Sequence, residues 1–323
     1  MNRNSSIDLL RIAGAFAIVI IHAVSSTITY KAIDASAEVS KGFDLVHILM
    51  MWAVPVFFII TGYCLGLKKE CTYKYCLSHA LKYTAILLTI GLFYALLEEV
   101  YEVNTVSFLI FLNALKNVYT GNLWAHMWFV YALIGIYLVM PVIALFMREG
   151  GARGSLILIG LLFFFDVLCS TFNRLGTIGI DFPFTGYLFY VCFGLYLSKH
   201  KIHSKIPYVI LGVLSIVWIV FNPSVDTYDY NHLAVCLMAV AAFAIITDLN
   251  INPNRVVTKV SGCTLGIYLI HPFFINVAIK LLKINMGADM PYLKVTVFAL
   301  IVFSASLIAT WVFKKIPVIR KLF

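Results

Sequence analysis

The chain has 323 residues, of which 62% are hydrophobic and 12% charged, with a mean hydropathy of +0.95. Soluble domains do not reach these values, so a soluble fold is excluded and a polytopic membrane protein is expected. The net charge of +9 does not point to nucleic acid, because Lys and Arg sit in short clusters between apolar stretches, as in cytoplasmic membrane loops.

Ten segments are apolar and long enough to cross a bilayer as helices: 7–29, 43–67, 80–100, 123–147, 155–173, 183–199, 206–222, 232–248, 259–281 and 292–313. The expected fold is therefore all-α, a polytopic membrane protein of about ten transmembrane helices in a single transmembrane domain over 1–323. With the N-terminus inside, 17 of the 24 Lys and Arg residues fall on the inner side, which predicts cytoplasmic N- and C-termini. Lys280, Lys283 and Lys294 run against that trend by crowding one outer loop. Arg3 and the small-residue run Ala23 to Ser26 imitate a signal peptide, but a retained first helix is expected. The connection from Glu98 to Asn122 contains VSFLIFLNALKNV, too short to span and expected to form an interfacial or re-entrant helix. The seven cysteines show neither a disulfide framework nor metal-ligand spacing, and no metal is expected.

The first span, IDLLRIAGAFAIVIIHAVSSTI, holds Arg11 and His22, eleven positions apart. At about 100° per residue, eleven steps return to within about 20° of the start, so both side chains share a helix face about 16 Å apart along the axis. Gly14, Ala15 and Ile18 lie between them, and Ser25, Ser26 and Thr29 follow. Leu9, Ile12, Phe16, Val19 and Ile20 make the opposite face bulky and apolar. The small, polar stripe is expected to line a cavity, because an ionisable group at membrane depth costs at least about 2.5 to 3.5 kcal/mol and is normally turned inward. The plainer alternative has Arg11 reaching the interface beside Asp8, with His22 a hydrogen-bonded core residue.

Other polar groups fall at related depths. Asp44 and His47 form an i,i+3 pair at the outer rim of the second span, and LWAHMWFVYAL places His126 and Trp128 near the outer end of the fourth. Trp124 also suits an interface anchor. Asp166, in FFFDVLCS, sits near mid-membrane and needs a cation or donor. Arg11 and His22 are candidates for that partner, and a protonated acid bonded to neighbouring serines is the alternative. In the ninth span Ser261, Thr264, Tyr268 and His271 follow at steps of three, four and three, a polar face ending where Pro272 allows a kink. On the inner side Lys68, Lys69, Lys74, His79 and Lys82 suit the phosphates of an anionic cytosolic ligand, or simply face anionic lipid.

These segments together resemble the acyltransferase-3 family of bacterial membrane O-acyltransferases. The likeness is carried by IDLLRIAGAFAIVIIH, with ten residues between Arg11 and His22, by FFIITGYCLG, HMWFVYAL and TGYLFYVCFGLYLSK, and by GIYLIHPFF. They run in order over most of the chain, and the short single-domain members are the nearest type. The resemblance implies an O-acetyltransferase of the bacterial cytoplasmic (inner) membrane. Its acetyl group would come from cytosolic acetyl-CoA and end on a hydroxyl of a glycan or similar acceptor at the outer face. By position His22 matches the family's essential histidine and Arg11 its arginine, while His126, Trp128, Tyr268 and His271 occupy motif positions. Where the family carries arginines after the second span, this chain offers Lys74, His79 and Lys82; lysine binds phosphate as a point charge without a bidentate fork.

On this reading Lys74, His79, Lys82 and Arg11 hold the phosphates of acetyl-CoA, and its pantetheine arm runs along the small-residue stripe of the first span toward His22. His22 acts as general base or as an acyl-carrying nucleophile, oriented by Asp166. Tyr268 or Trp128 donates to the oxyanion, and His126 and His271 are further substrate or oxyanion candidates. A secondary transporter is the main alternative, because intramembrane Arg, Asp and His also suit a proton-coupled carrier; no inverted repeat supports it.

Overall fold

The apolar runs fold as helices, the only regular structure among the residues that this computed structural model describes, namely 4–33, 36–67, 71–103, 107–176, 186–223, 228–247, 249, 251–252, 254–287 and 289–323. Asn4 caps α1 (Ser5–Thr29) by accepting from the Ser6 N–H at 2.9 Å. The second span is formed by α2 (Ala37–Met50) and α3 (Ala53–Gly66), and the third by α4 (Tyr73–Ile86) and α5 (Leu92–Val103), joined through a π-helical turn. The short apolar helix α6 (Phe108–Thr120) precedes α7 (Trp128–Glu149), which starts from the 3-10 turn Ala125–Met127. Next come α8 (Gly151–Leu162) and α9 (Ser170–Arg174) around a π-helical stretch, then α10 (Leu188–Leu197), α11 (Ile206–Phe221) and α12 (Leu233–Ile246). The chain closes with α13 (Arg255–Ser261), α14 (Thr264–Asn276) and α15 (Pro291–Phe313).

Among the described residues, seven helical stretches are long and apolar enough to cross a membrane, whereas the sequence suggested ten. The remaining three, α10, α11 and α12, have 10, 16 and 14 residues. At about 1.5 Å per residue each falls short of a hydrocarbon core of roughly 30 Å. The span expected at 183–199 begins on residues outside those described. α6, with 13 residues, is too short to cross, in keeping with an interfacial or re-entrant piece. The second span is not one continuous helix: it breaks at Met51 and Trp52, because Pro55 lacks the N–H that would bond the Met51 carbonyl. Pro272 has a milder effect, since α14 runs past it to Asn276 before a π-helical turn over Val277–Leu281.

Helix α1 is the hub, packing against α2, α3, α12, α13, α14 and α15. Its bulky face meets α15 through Phe16 and Phe303, edge-on with ring centroids 5.5 Å apart, and Val19 is fully buried there. α3 and α10 touch backbone to backbone. A Cβ on Gly62 would collide with the Val191 carbonyl, and one on Gly194 with the Ile59 carbonyl, so two small residues set the close approach of these helices. Gly62→Leu or Gly194→Leu is therefore expected to cost about 1 to 3 kcal/mol, seen as a lower thermal midpoint in detergent. An unchanged midpoint for both would contradict this packing.

Candidate active site

Three imidazoles meet inside the bundle, from three separate elements. His22 comes from α1, His126 from the turn before α7 and His271 from α14. The ring centroids lie 5.1 Å apart for His22 and His271, 5.8 Å for His126 and His271, and 6.3 Å for His22 and His126. His126 and His271 are 2% and 0% exposed, whereas His22 keeps partial access. Tyr268, one turn before His271, donates its hydroxyl to the His126 carbonyl and packs its ring 5.6 Å from that imidazole. The arrangement joins the first, fourth and ninth predicted spans, which no local spacing in the sequence could reveal.

The hydrogen bonds fix part of the proton inventory. His271 Nδ1 lies 3.0 Å from the Ile267 carbonyl. A carbonyl oxygen only accepts, so Nδ1 carries the proton and Nε2 of the neutral ring is an acceptor. That Nε2 is buried with no partner among the described residues, as are both ring nitrogens of His126. Neutral His271 thus suits accepting a proton rather than donating to an oxyanion. Although three imidazoles converge, no group of three His, Cys, Asp or Glu among the described residues is arranged to hold a metal ion.

A cavity of about 380 Å³ runs from the end of the bundle where α1 begins to Tyr268, the neighbour of His126 and His271. Arg11, His79 and Lys82 line it at that end, and Phe129 and Tyr268 close it at the other. Tyr268 therefore belongs both to the cavity wall and to the histidine cluster. Arg11 lies 3.9 Å from Asp8 and donates to Cys64 Sγ at 3.2 Å, with about 30% of its side chain exposed. Asp8 is itself held by the Ser261 hydroxyl at 2.7 Å. The His79 ring stacks on Tyr137 at 5.0 Å, and its Nδ1 donates to the Tyr75 carbonyl at 3.0 Å. Lys74 is exposed and does not line the cavity, and Lys68 and Lys69 lie outside the described residues. A second cavity, about 600 Å³, lies beyond Leu65 and is lined by Arg148, Lys199 and His200.

The structure corrects the expected path between Arg11 and His22. The small-residue stripe of α1 is not open: Phe57 packs against Gly14, and Ala15 and Ile18 are 2% and 3% exposed. Small residues let a neighbour approach closely, and here that neighbour fills the groove. The cavity instead follows Ser261 at the end of α13 and Thr264 and Tyr268 on α14.

Two other expected roles are relocated. Asp166 does not meet His22; its Oδ2 accepts from the Phe189 N–H at 2.9 Å, at the start of α10, where an exposed helix donor needs a partner. The rest of its stripe is also structural, with Ser170 donating to Asp229 at 2.5 Å and Arg174 lying 3.7 Å from the same carboxylate. Trp128 packs into an aromatic cluster with Tyr187 and Tyr230, at 5.2 and 5.4 Å, beside the three histidines rather than among them. Sequence reasoning assigned no role to the residues around the cluster. Ser25 Oγ and His47 Nδ1 are 2.8 Å apart, and Tyr228 stacks on His47 and donates to Asp44 at 2.6 Å. The i,i+3 spacing of Asp44 and His47 was the one available signal for that group.

The family model described as an acyltransferase domain matches residues 4–315. The chain belongs to this family, the acyltransferase-3 family. No curated protein and no solved structure matches it. Membership together with the seven membrane-length helices makes the protein a membrane acyltransferase.

The relocation of Asp166 is directly testable. Asp166→Asn keeps an oxygen for the Phe189 N–H and is expected to retain acyltransferase activity within a few-fold. Asp166→Leu, which leaves that N–H unpaired, is expected to lose about 1 to 3 kcal/mol of stability. A folded Asp166→Asn variant without activity would return Asp166 to the chemistry.

Proposed function

We propose that the protein is a transmembrane O-acetyltransferase. It moves an acetyl group from cytosolic acetyl-CoA to a hydroxyl of a glycan or similar acceptor at the outer face of the bacterial cytoplasmic membrane. In this reading α10, α11 and α12 complete ten spans, both termini are cytoplasmic, one domain carries the whole reaction and the cavity opens to the cytoplasm beside Arg11. The observation that carries the proposal is that one cavity is cationic at its mouth and is walled further in by Tyr268, whose ring lies 5.6 Å from His126 and 6.1 Å from His271. A donor with phosphates at one end and a thioester at the other fits that polarity. Arg11 and Lys82 supply the standing positive charge, Arg11 with the fork suited to phosphate. Lys74 has at most a peripheral part, since it does not line the cavity.

His22 is the imidazole with access, and we assign it the general base. As the acceptor hydroxyl attacks the thioester carbonyl carbon, His22 takes the hydroxyl proton. The carbon–sulfur bond then breaks, the acetyl group stays on the acceptor oxygen, and the departing thiolate recovers the proton as CoA. His271, with Nε2 as an acceptor, takes the part that sequence gave to Asp166, steadying protonated His22 as a carboxylate does in a triad. Tyr268 stands at the inner end of the cavity, with His126 packed against its ring, where the thioester would arrive.

The test is acetyl transfer from labelled acetyl-CoA by purified protein in liposomes. His22→Ala is expected to lower kcat by about 100-fold or more, the usual size of a lost general base. Lys82→Ala and Arg11→Ala are expected chiefly to raise KM for the donor. Normal turnover by His22→Ala would refute the assignment, and uptake of a solute without acetyl-CoA would favour a carrier.

A further inference from the structure

Lys280 is one of three lysines that run against the charge bias expected from the sequence, and the structure gives it a specific environment. Its Nζ donates to Glu98 Oε1 at 3.1 Å, with Oε2 at 3.5 Å. The lysine side chain is only 15% exposed. The same ammonium lies 5.0 Å from the ring centre of Tyr30 and 5.2 Å from that of Tyr101, both within cation–π range.

Glu98 in turn reaches the turn that carries His126. The Trp124 indole N–H donates to Glu98 Oε2 at 2.9 Å. Trp124 immediately precedes the 3-10 turn Ala125–Met127, and its ring stacks on Tyr94 at 4.2 Å and 15°. Tyr94 presents its ring to His126 at 5.6 Å and donates its hydroxyl to the Leu269 carbonyl at 2.6 Å, two residues before His271. Tyr30 follows α1, the helix of His22, and Lys280 lies in the π-helical turn that continues α14, the helix of His271. One ion pair therefore touches, directly or through one ring, each of the three elements that bring an imidazole to the cluster.

We infer that Glu98 and Lys280 are positioning residues for acyl transfer: their ion pair, with Trp124 and Tyr94, holds the His126 turn and α14 in the register that brings the three imidazoles together. The inference rests on the proposed reading of that cluster as the transfer site. Neither residue touches the donor cavity, so the effect falls on the rate of transfer and not on donor binding. A role in global stability alone would lower the amount of folded protein without changing the rate per folded molecule.

The experiment measures kcat and donor KM per folded protein in liposomes for Lys280→Met, Glu98→Leu, Glu98→Gln and Lys280→Arg, with wild type and His22→Ala alongside. Lys280→Met and Glu98→Leu are expected to lower kcat about tenfold with donor KM unchanged, the scale of a misplaced reacting group. Lys280→Arg keeps the charge and the ring contacts and is expected to restore most of the rate. Glu98→Gln, which still accepts from Trp124, is expected to fall between. If the first two variants do not fold, the isosteric Glu98→Gln decides alone by a reduced kcat at constant KM. Wild-type kcat in the folded variants, or a change confined to donor KM, would overturn the inference while leaving the proposed reaction in place. An inactive wild type would overturn that reaction, and the positioning role with it.

Discussion

Inside a bilayer there is no water to satisfy a polar group, so each one must find a protein partner or pay several kcal/mol. This constraint sorts the polar side chains of the chain into two populations. Asp8 is held by Ser261 and Arg11, Asp44 by Tyr228, Glu98 by Lys280 and Trp124, and Asp166 by the Phe189 backbone. These carboxylates are committed to the fold. The imidazoles of His126 and His271 carry buried nitrogens with no partner among the described residues, beside a His22 that retains access. The three histidines meet from three separate elements beside the cationic cavity, and the proposed chemistry is assigned to them for that reason.

The architecture serves that separation. α1 runs through the middle of the bundle and carries a cation near one end and an imidazole in its other half. The cavity does not follow α1 between them, because Phe57 closes the stripe around Gly14. It follows Ser261 at the end of α13 and Thr264 and Tyr268 on α14, the path that the proposed donor would take from Arg11. Tyr268, bonded to the His126 carbonyl, connects the cavity to the histidine cluster. Two helices thus share the task that the sequence seemed to give to one.

Much of this was legible in the residues. Hydropathy located every long helix, and the eleven-residue step from Arg11 to His22, with the steps of three and four through His271, identified both polar faces. Helical periodicity reports which side chains share a face but not what faces them. The pairing of Asp166 with α10, the filling of the α1 stripe by Phe57 and the meeting of His126 with Tyr94 are contacts between distant segments, and one chain's pattern carries no record of them. Lys280 shows the same limit. Its position against the charge bias was visible, but its reason, a carboxylate on α5 and an indole before α7, needed the fold. Seven of the ten expected spans have full-length helices among the described residues, whereas α10, α11 and α12 are shorter, and the ends of helices are the features that hydropathy marks least sharply.

The central claim is that the cationic cavity and the three imidazoles form one site. The most direct measurement is an experimental structure of the full chain in lipid with a non-hydrolysable acetyl-CoA analogue. The expected result is phosphates against Arg11 and Lys82, the arm along α14, and the thioester carbon in contact with the His22 ring. An analogue seated instead in the cavity of Arg148 and Lys199, with its acyl end away from all three histidines, would contradict it.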